Sequence, residues 1–234
     1  MALNDDVSSD IDSIISQKWD ARDGTVVPQT TDVTLAGGGV NLDVAILYSD
    51  LADSTELVMT QDRRVAAKVM KCFLAMSSRI MRNFQGEIRS FDGDRVMGIF
   101  IGGYKNTNAT KAALKINHSF TNILKPKLLA QYPKLEEGGF KLNYGSGIDT
   151  GTVLAVRGGV RGSNDLVWVG RGPNIAAKLS NLRDGLFKTY ITGDVHKQLN
   201  DECKLLNGVA MWQQMTWKTY PDIPLYRSNY WWLK

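Results

Sequence analysis

The spacing of apolar residues changes period several times along the chain, and each change marks an element. Residues 9–21 place Ile11, Ile14, Ile15 and Trp19 three to four apart behind Ser9-Asp10. That predicts a short amphipathic helix, closed by Asp23-Gly24. Residues 25–40 are rich in Thr, Val and Gly, hold Pro28, and read as an extended connector that packs on the core or on a partner subunit. Val44-Ala45-Ile46-Leu47-Tyr48 then runs unbroken into Ser49-Asp50, a buried central strand delivering a carboxylate at its end. From 61 to 84, Val65, Val69, Phe73, Met76, Ile80 and Met81 return to helical spacing, with the methionines as core filling. Two β-rich runs across 86–100 flank Asp92-Gly93-Asp94, a hairpin with its tip at Gly93.

The second half reads similarly. Residues 107–131 form a helix bent at Pro126, 133–139 a loop, and 140–148 a strand. Asp149-Thr150-Gly151 reads as a turn and 153–156 as another strand. Residues 157–165, with three glycines and two arginines, form a hairpin loop, and 166–169 a short buried strand. Pro173 suits the first turn of the next helix, on which Asn174 and Lys178, four apart, share a face. A strand at 190–192 and a short helix at 194–200 follow. From Val209 the chain reads as closing strands packed through Trp212, Trp217, Trp231 and Trp232, with an aromatic partner surface as the alternative. The order β-α-β-β-α-β with further strands predicts an α+β, ferredoxin-like fold with extra C-terminal strands and a short N-terminal helix. Residues 1–40 are the helix and connector, and 41–234 a single domain.

Composition narrows the classes. With 234 residues, 43% of them hydrophobic, the chain can bury a sizeable core. Its two cysteines, Cys72 and Cys203, make no disulfide framework and fit a reducing cytoplasm. The start Met1-Ala2-Leu3-Asn4-Asp5-Asp6 has no signal-peptide character, and no apolar run reaches the roughly 18 residues of a membrane helix. A net charge of +4 with scattered basic residues suits an anionic ligand without arguing for nucleic acid. Two histidines without ligand spacing argue against zinc.

Candidate chemistry gathers at the end of the central strand. Asp50 is followed by Ser54-Thr55 at the start of a helix, where unpaired backbone N–H groups favour phosphate. Helix capping by Asp53 or Ser54 is the alternative. Sequential elements usually neighbour one another, so the hairpin tip can lay Asp94 beside Asp50. Two carboxylates so placed can hold divalent metal against a nucleoside triphosphate.

Four motifs, in order, resemble the class III nucleotidyl cyclases over about residues 41–200. They are Tyr48-Ser49-Asp50-Leu51-Ala52-Asp53-Ser54-Thr55, the Gly93-Asp94 tip, Gly147-Ile148-Asp149-Thr150-Gly151-Thr152-Val153, and Asn174-Ile175-Ala176-Ala177-Lys178-Leu179. The resemblance implies that residues 41–234 are a cyclase catalytic domain. It implies attack of a ribose 3′-hydroxyl on the α-phosphate of a nucleoside triphosphate, with loss of pyrophosphate. It further implies two divalent ions per site, Mn²⁺ or Mg²⁺, held by Asp50 and Asp94 with one contact from the Leu51 carbonyl. Asn174 orients the ribose, Lys178 stabilises phosphate charge, and a homodimer shares residues between two sites.

Departures bear on the base. The family usually carries Arg where Lys178 stands, so the planar fork is lost. Ser90 and Val167 occupy positions where purine cyclases commonly carry Lys and Asp, which leaves a purine edge unread. Tyr48, on the strand face of Asp50, narrows the base pocket or is ordinary core. Arg95, Arg157, Arg161 and Arg171 are candidate triphosphate or base contacts. These features resemble the pyrimidine cyclases of Pycsar anti-phage defence, stand-alone cytoplasmic dimers whose cyclic UMP or cyclic CMP acts on a separate effector protein. UTP is the expected substrate and CTP the runner-up. A purine cyclase, a nucleotide-binding cyclase-like module without turnover, and a polymerase-like palm are the competing readings.

Overall fold

The computed structural model describes residues 3–233. Its elements are α1 (Leu3–Ile15), β1 (Asp20–Asp23), β2 (Gly38–Leu51), α2 (Ser54–Thr60), α3 (Arg63–Asn83), β3 (Glu87–Asp92) and β4 (Arg95–Phe100). They continue with α4 (Lys105–Ser119), α5 (Lys125–Gln131), β5 (Tyr144–Val160), β6 (Ser163–Val169), α6 (Arg171–Ser180), β7 (Thr189–Thr192) and α7 (Gly193–Lys197). Four short strands close the chain, β8 (Leu205–Leu206), β9 (Val209–Ala210), β10 (Gln213–Met215) and β11 (Leu225–Ser228). The main sheet has the order β10-β11-β7-β5-β2-β4-β3, with β1 also on β2 and β6 also on β5. Within it, β5-β2-β4-β3 with crossovers through α3 and α4 is the expected βαββαβ unit.

Alternation along β2 sorts the core into two layers. Ala45, Leu47 and Leu51 face a helical layer that includes Val69 and Phe73 of α3 and Ala112 and Ile116 of α4. Val44 and Ile46 face the other way, with Met97, Ile99, Val153 and Val27, and Tyr48 packs at their margin. Asp50 shares the parity of Tyr48 and so opens on this second face.

Several expectations shift. The N-terminal helix spans Leu3–Ile15 rather than 9–21, because Leu3 and Val7 continue the apolar stripe upstream. Beyond Ile15, hydrogen bonding of Asp20–Asp23 to Gly38–Asn41 of β2 replaces a last helical turn with only Trp19 to bury, and Trp19 stays exposed. β1 thereby takes the end of the expected helix into the main sheet, and the start of β2 takes in the last residues of the expected connector. The bend expected at Pro126 falls in a π-helical turn, Phe120–Leu124, with Pro126 in the first turn of α5. A proline leaves the carbonyl four residues earlier without a donor, and a widened turn absorbs that.

The turn expected at 149–151 is absent. β5 continues through it because β2 supplies an unbroken partner from Leu51↔Tyr144 to Gly39↔Val156, and Gly151 accepts φ +148 within the strand. Residues 140–143 precede β5 rather than forming its start. The expected 157–165 loop is mostly strand, a β5–β6 hairpin arm turning at Gly162. β6 is not buried: Leu166 and Trp168 face inward while Val167 and Val169 point to solvent. In the closing segment Trp212 and Trp217 are buried and Trp231 is exposed.

Candidate active site

Cross-strand register brings the two carboxylates together. Asp50 pairs with Arg95 across β2 and β4, and Asp94 lies just before Arg95 at the tip, where Gly93 takes φ +61. Asp50 is buried, and burial raises its pKa above the ordinary carboxylate value; Arg95 pulls it back, and the negative charge of Asp94 adds to the rise. Asp94 Oδ2 is also buried and has no hydrogen-bond partner among the described residues.

Donors surround Asp50. Arg95 Nη2 donates to Asp50 Oδ2 at 3.3 Å, and Arg183 Nη2 stands 3.8 Å from the same oxygen. With the Asn181 amide nitrogen turned to the carboxylate, Asn181 donates to Asp50 Oδ2 at 2.6 Å and accepts from Arg95 at 3.2 Å. The opposite orientation would set two acceptors face to face.

Asn181 and Arg183 were not singled out in the sequence. They arrive because α6 lies against the glycines of β5. A Cβ on Gly147 would stand 2.5 Å from Leu179 Cβ, and one on Gly145 would stand 2.5 Å from Ser180 O. Gly145 is the residue opposite Asp50, so the chain leaving α6 crosses at that rung. Gly145-Ser146-Gly147 inside a strand was the available signal, since strand glycines mark close backbone approach.

The two carboxylates fit a hard divalent ion. An orphaned buried oxygen costs about 1–3 kcal/mol, which a cation bound at Asp94 would offset, and Asp50 supplies a second oxygen donor. Leu51 follows Asp50 on β2. Ser54 and Thr55 open α2, whose preceding residue Asp53 takes φ +55 and makes no side-chain cap. Among the described residues, no group of three or more His, Cys, Asp or Glu could hold a metal ion.

The expected base-pocket residues separate. Tyr48 and Ser90 both face Met97 of β4 from opposite sides, and the Tyr48 hydroxyl meets the Ser90 side chain. Burial raises the Tyr48 pKa, and the Arg95 guanidinium, 6.0 Å above its ring, opposes the rise. Val167 sits on the solvent side of β6.

The remaining residues bond partners other than the two carboxylates. Arg171 makes a two-point ion pair with the fully buried Asp149 and also reaches Asp194 at 2.6 Å, which makes it a structural tie. Thr192 donates to the same Asp149 at 2.7 Å. Arg157 bonds Asn164 on the arm, roughly 40 Å further along β5 than the rung of Asp50 at about 3.3 Å per residue. Arg161 is at the arm's tip, beside a 470 Å³ cavity shared with α1 and Trp19. On α6, Asn174 donates to Gly170 O at 3.2 Å, and Lys178 Nζ donates to the Tyr220 hydroxyl at 2.7 Å.

Comparison with known proteins follows the same lines. The chain is 45% identical over 234 residues to a uridylate cyclase of Rhodovulum sp. (strain MB263), covering 99% of this chain and 98% of that protein. It is 39% identical over 233 residues to a uridylate cyclase of Xanthomonas perforans, covering 99% of both. Among solved structures, the adenylyl cyclase CyaB from P. aeruginosa superposes with a TM-score of 0.66 at 18% identity, covering 81% of this chain and 95% of that one. At that identity the likeness concerns the fold. No family model matches the chain.

Proposed function

Since this chain belongs to the uridylate cyclase family, we propose that it converts UTP to cyclic UMP and pyrophosphate in the cytoplasm, as a second messenger for anti-phage defence read by a separate effector protein. The observation that carries the reading is the buried, unpartnered oxygen of Asp94 beside the buried carboxylate of Asp50. In the reaction the ribose 3′-oxygen bonds to the α-phosphorus, the bond to the bridging α–β oxygen breaks, and the hydroxyl proton leaves to solvent.

Asp50 and Asp94, with the Leu51 carbonyl, hold two divalent ions, Mn²⁺ or Mg²⁺. When bound, these lower the hydroxyl pKa and neutralise charge on the triphosphate. Arg95 is close to both carboxylates and is placed to turn from Asp50 to phosphate. Ser54 and Thr55 follow Asp50 as phosphate-side hydroxyls. Asn174 orients the ribose and Lys178 meets the phosphate. Tyr48, tied to Ser90, limits the depth available to a base and favours the smaller pyrimidine ring.

Asn174 and Lys178 bond elsewhere in their own chain, while Asp50 is ringed by Arg95, Asn181 and Arg183. That division supports a homodimer in which α6 of one copy completes the carboxylate site of the other. The exposed apolar stripe of α1, with Leu3, Val7, Ile11 and Ile15, offers surface for such an assembly.

The test is incubation of the purified protein with UTP, CTP, ATP and GTP separately, with Mn²⁺ or Mg²⁺, and product identification by mass spectrometry. Cyclic UMP is expected, with loss on the order of 10³-fold or more in Asp94→Ala. Cyclic CMP alone would keep the chemistry and change the base, and a purine product would overturn the pocket argument. Absence of any product would overturn the assignment as an enzyme in favour of a binding module.

A further inference from the structure

We infer that Tyr220 is a positioning residue for Lys178: its hydroxyl fixes the ammonium in one place and leaves two N–H donors for phosphate. The inference rests on the reading that Lys178 acts on the triphosphate. A lysine is a compact charge on a flexible four-carbon stem, and nothing in the side chain itself sets its direction. Here the stem is pinned at its end. Nζ stands 2.7 Å from the Tyr220 hydroxyl and 5.1 Å from the centre of its ring.

The tyrosine is itself held from below. Its ring packs on Trp217 with centroids 4.7 Å apart at 60°. Trp217 is buried in a cluster with Ile175 and Leu179, residues of the helix that carries Lys178. Backbone bonds Tyr220 N to Trp217 O at 3.2 Å and Ile223 N to Tyr220 O at 3.1 Å fix the turn around it. Helix, tryptophan, tyrosine and lysine thus form a closed loop of contacts, so the ammonium is referenced to the same helix that presents Asn174. The Tyr220 hydroxyl accepts from Lys178 and contacts no reacting atom. Its effect belongs in the turnover step, where placement of charge matters, rather than in substrate affinity.

Steady-state turnover of the pyrimidine triphosphate in Tyr220→Phe, Lys178→Arg, the double variant and Lys178→Ala tests this. Tyr220→Phe keeps the ring on Trp217, so its melting temperature is expected to match the wild type. Its kcat is expected to fall about tenfold with KM within about twofold. Arginine carries its own rigid fork, so adding Tyr220→Phe to Lys178→Arg is expected to change kcat by less than about twofold. Wild-type kcat in Tyr220→Phe, or equal losses in both backgrounds, overturns the inference while an inactive Lys178→Ala leaves the role of Lys178 intact. An active Lys178→Ala overturns both.

Discussion

Tyr144 is wholly inside the helical-side core, between Phe73 and Phe120, and its hydroxyl has no hydrogen-bond partner among the described residues. Burial pushes its pKa well above the ordinary value. A buried unpaired hydroxyl is a standing cost, so Tyr144→Phe is expected to stabilise the fold by about 1 kcal/mol and raise Tm by roughly 2–4 °C, read by thermal unfolding. His196 behaves oppositely. Burial holds its pKa below the ordinary value of 6.5, with Lys204 adding to the fall, and its ring stacks on Tyr226 at 3.9 Å. The unfolded chain therefore takes up the proton first. The stability tied to a neutral His196 is complete above that ordinary value, and is lost as pH falls through it toward the lower folded value. Melting temperature is expected to drop as pH falls below about 6.5, and His196→Gln is expected to flatten that slope. At this scale Asp50 and Asp94 were legible because a strand end and a hairpin tip are local patterns. Asn181, Arg183 and Tyr220 were not, because each owes its place to packing between distant segments.

Elements were legible where one period ran long enough. The strand into Asp50, the helix after it and the hairpin at Gly93 all stand as read. The turn placed at 149–151 failed because Asp-Thr-Gly has turn chemistry locally, while a neighbouring strand and the Asp149–Arg171 pair decide the outcome. The helix placed at 9–21 failed at both ends for a related reason: its true stripe faces solvent, and sheet pairing claims the residues after it. The bearing of α6 on β5 yields a prediction. Gly147→Ala puts a methyl against Leu179 Cβ and the Ser180 backbone, at 2.5 Å from each, so the helix has to lift. A loss of about 1–3 kcal/mol is expected in denaturant unfolding. Turnover is expected to fall further than stability requires, since Asn181 and Arg183 follow the same helix.

For the whole molecule, the fold was readable because its βαββαβ order is written in alternating periods, whereas which surfaces meet a second copy is not a property of any one stretch. The proposed shared site is tested by mixing. Asp50→Ala and Lys178→Ala are each expected to be inactive. Mixed in equal amounts with random subunit exchange, half the dimers carry one intact site of two. Recovery of about a quarter of wild-type activity is then expected. No recovery in a mixture shown by native mass spectrometry to exchange subunits would count against sharing.

Lys178 held by Tyr220, and Asp50 enclosed by Arg95, Asn181 and Arg183, bear on kinetic order once a second copy has to complete the site. If neither half works alone, product formation in dilute solution follows the square of the chain's concentration, and becomes proportional to it only above the dissociation constant. A twofold change in abundance then gives a roughly fourfold change in the rate of product formation. Gene dosage and synthesis rate would set the threshold at which the signal begins.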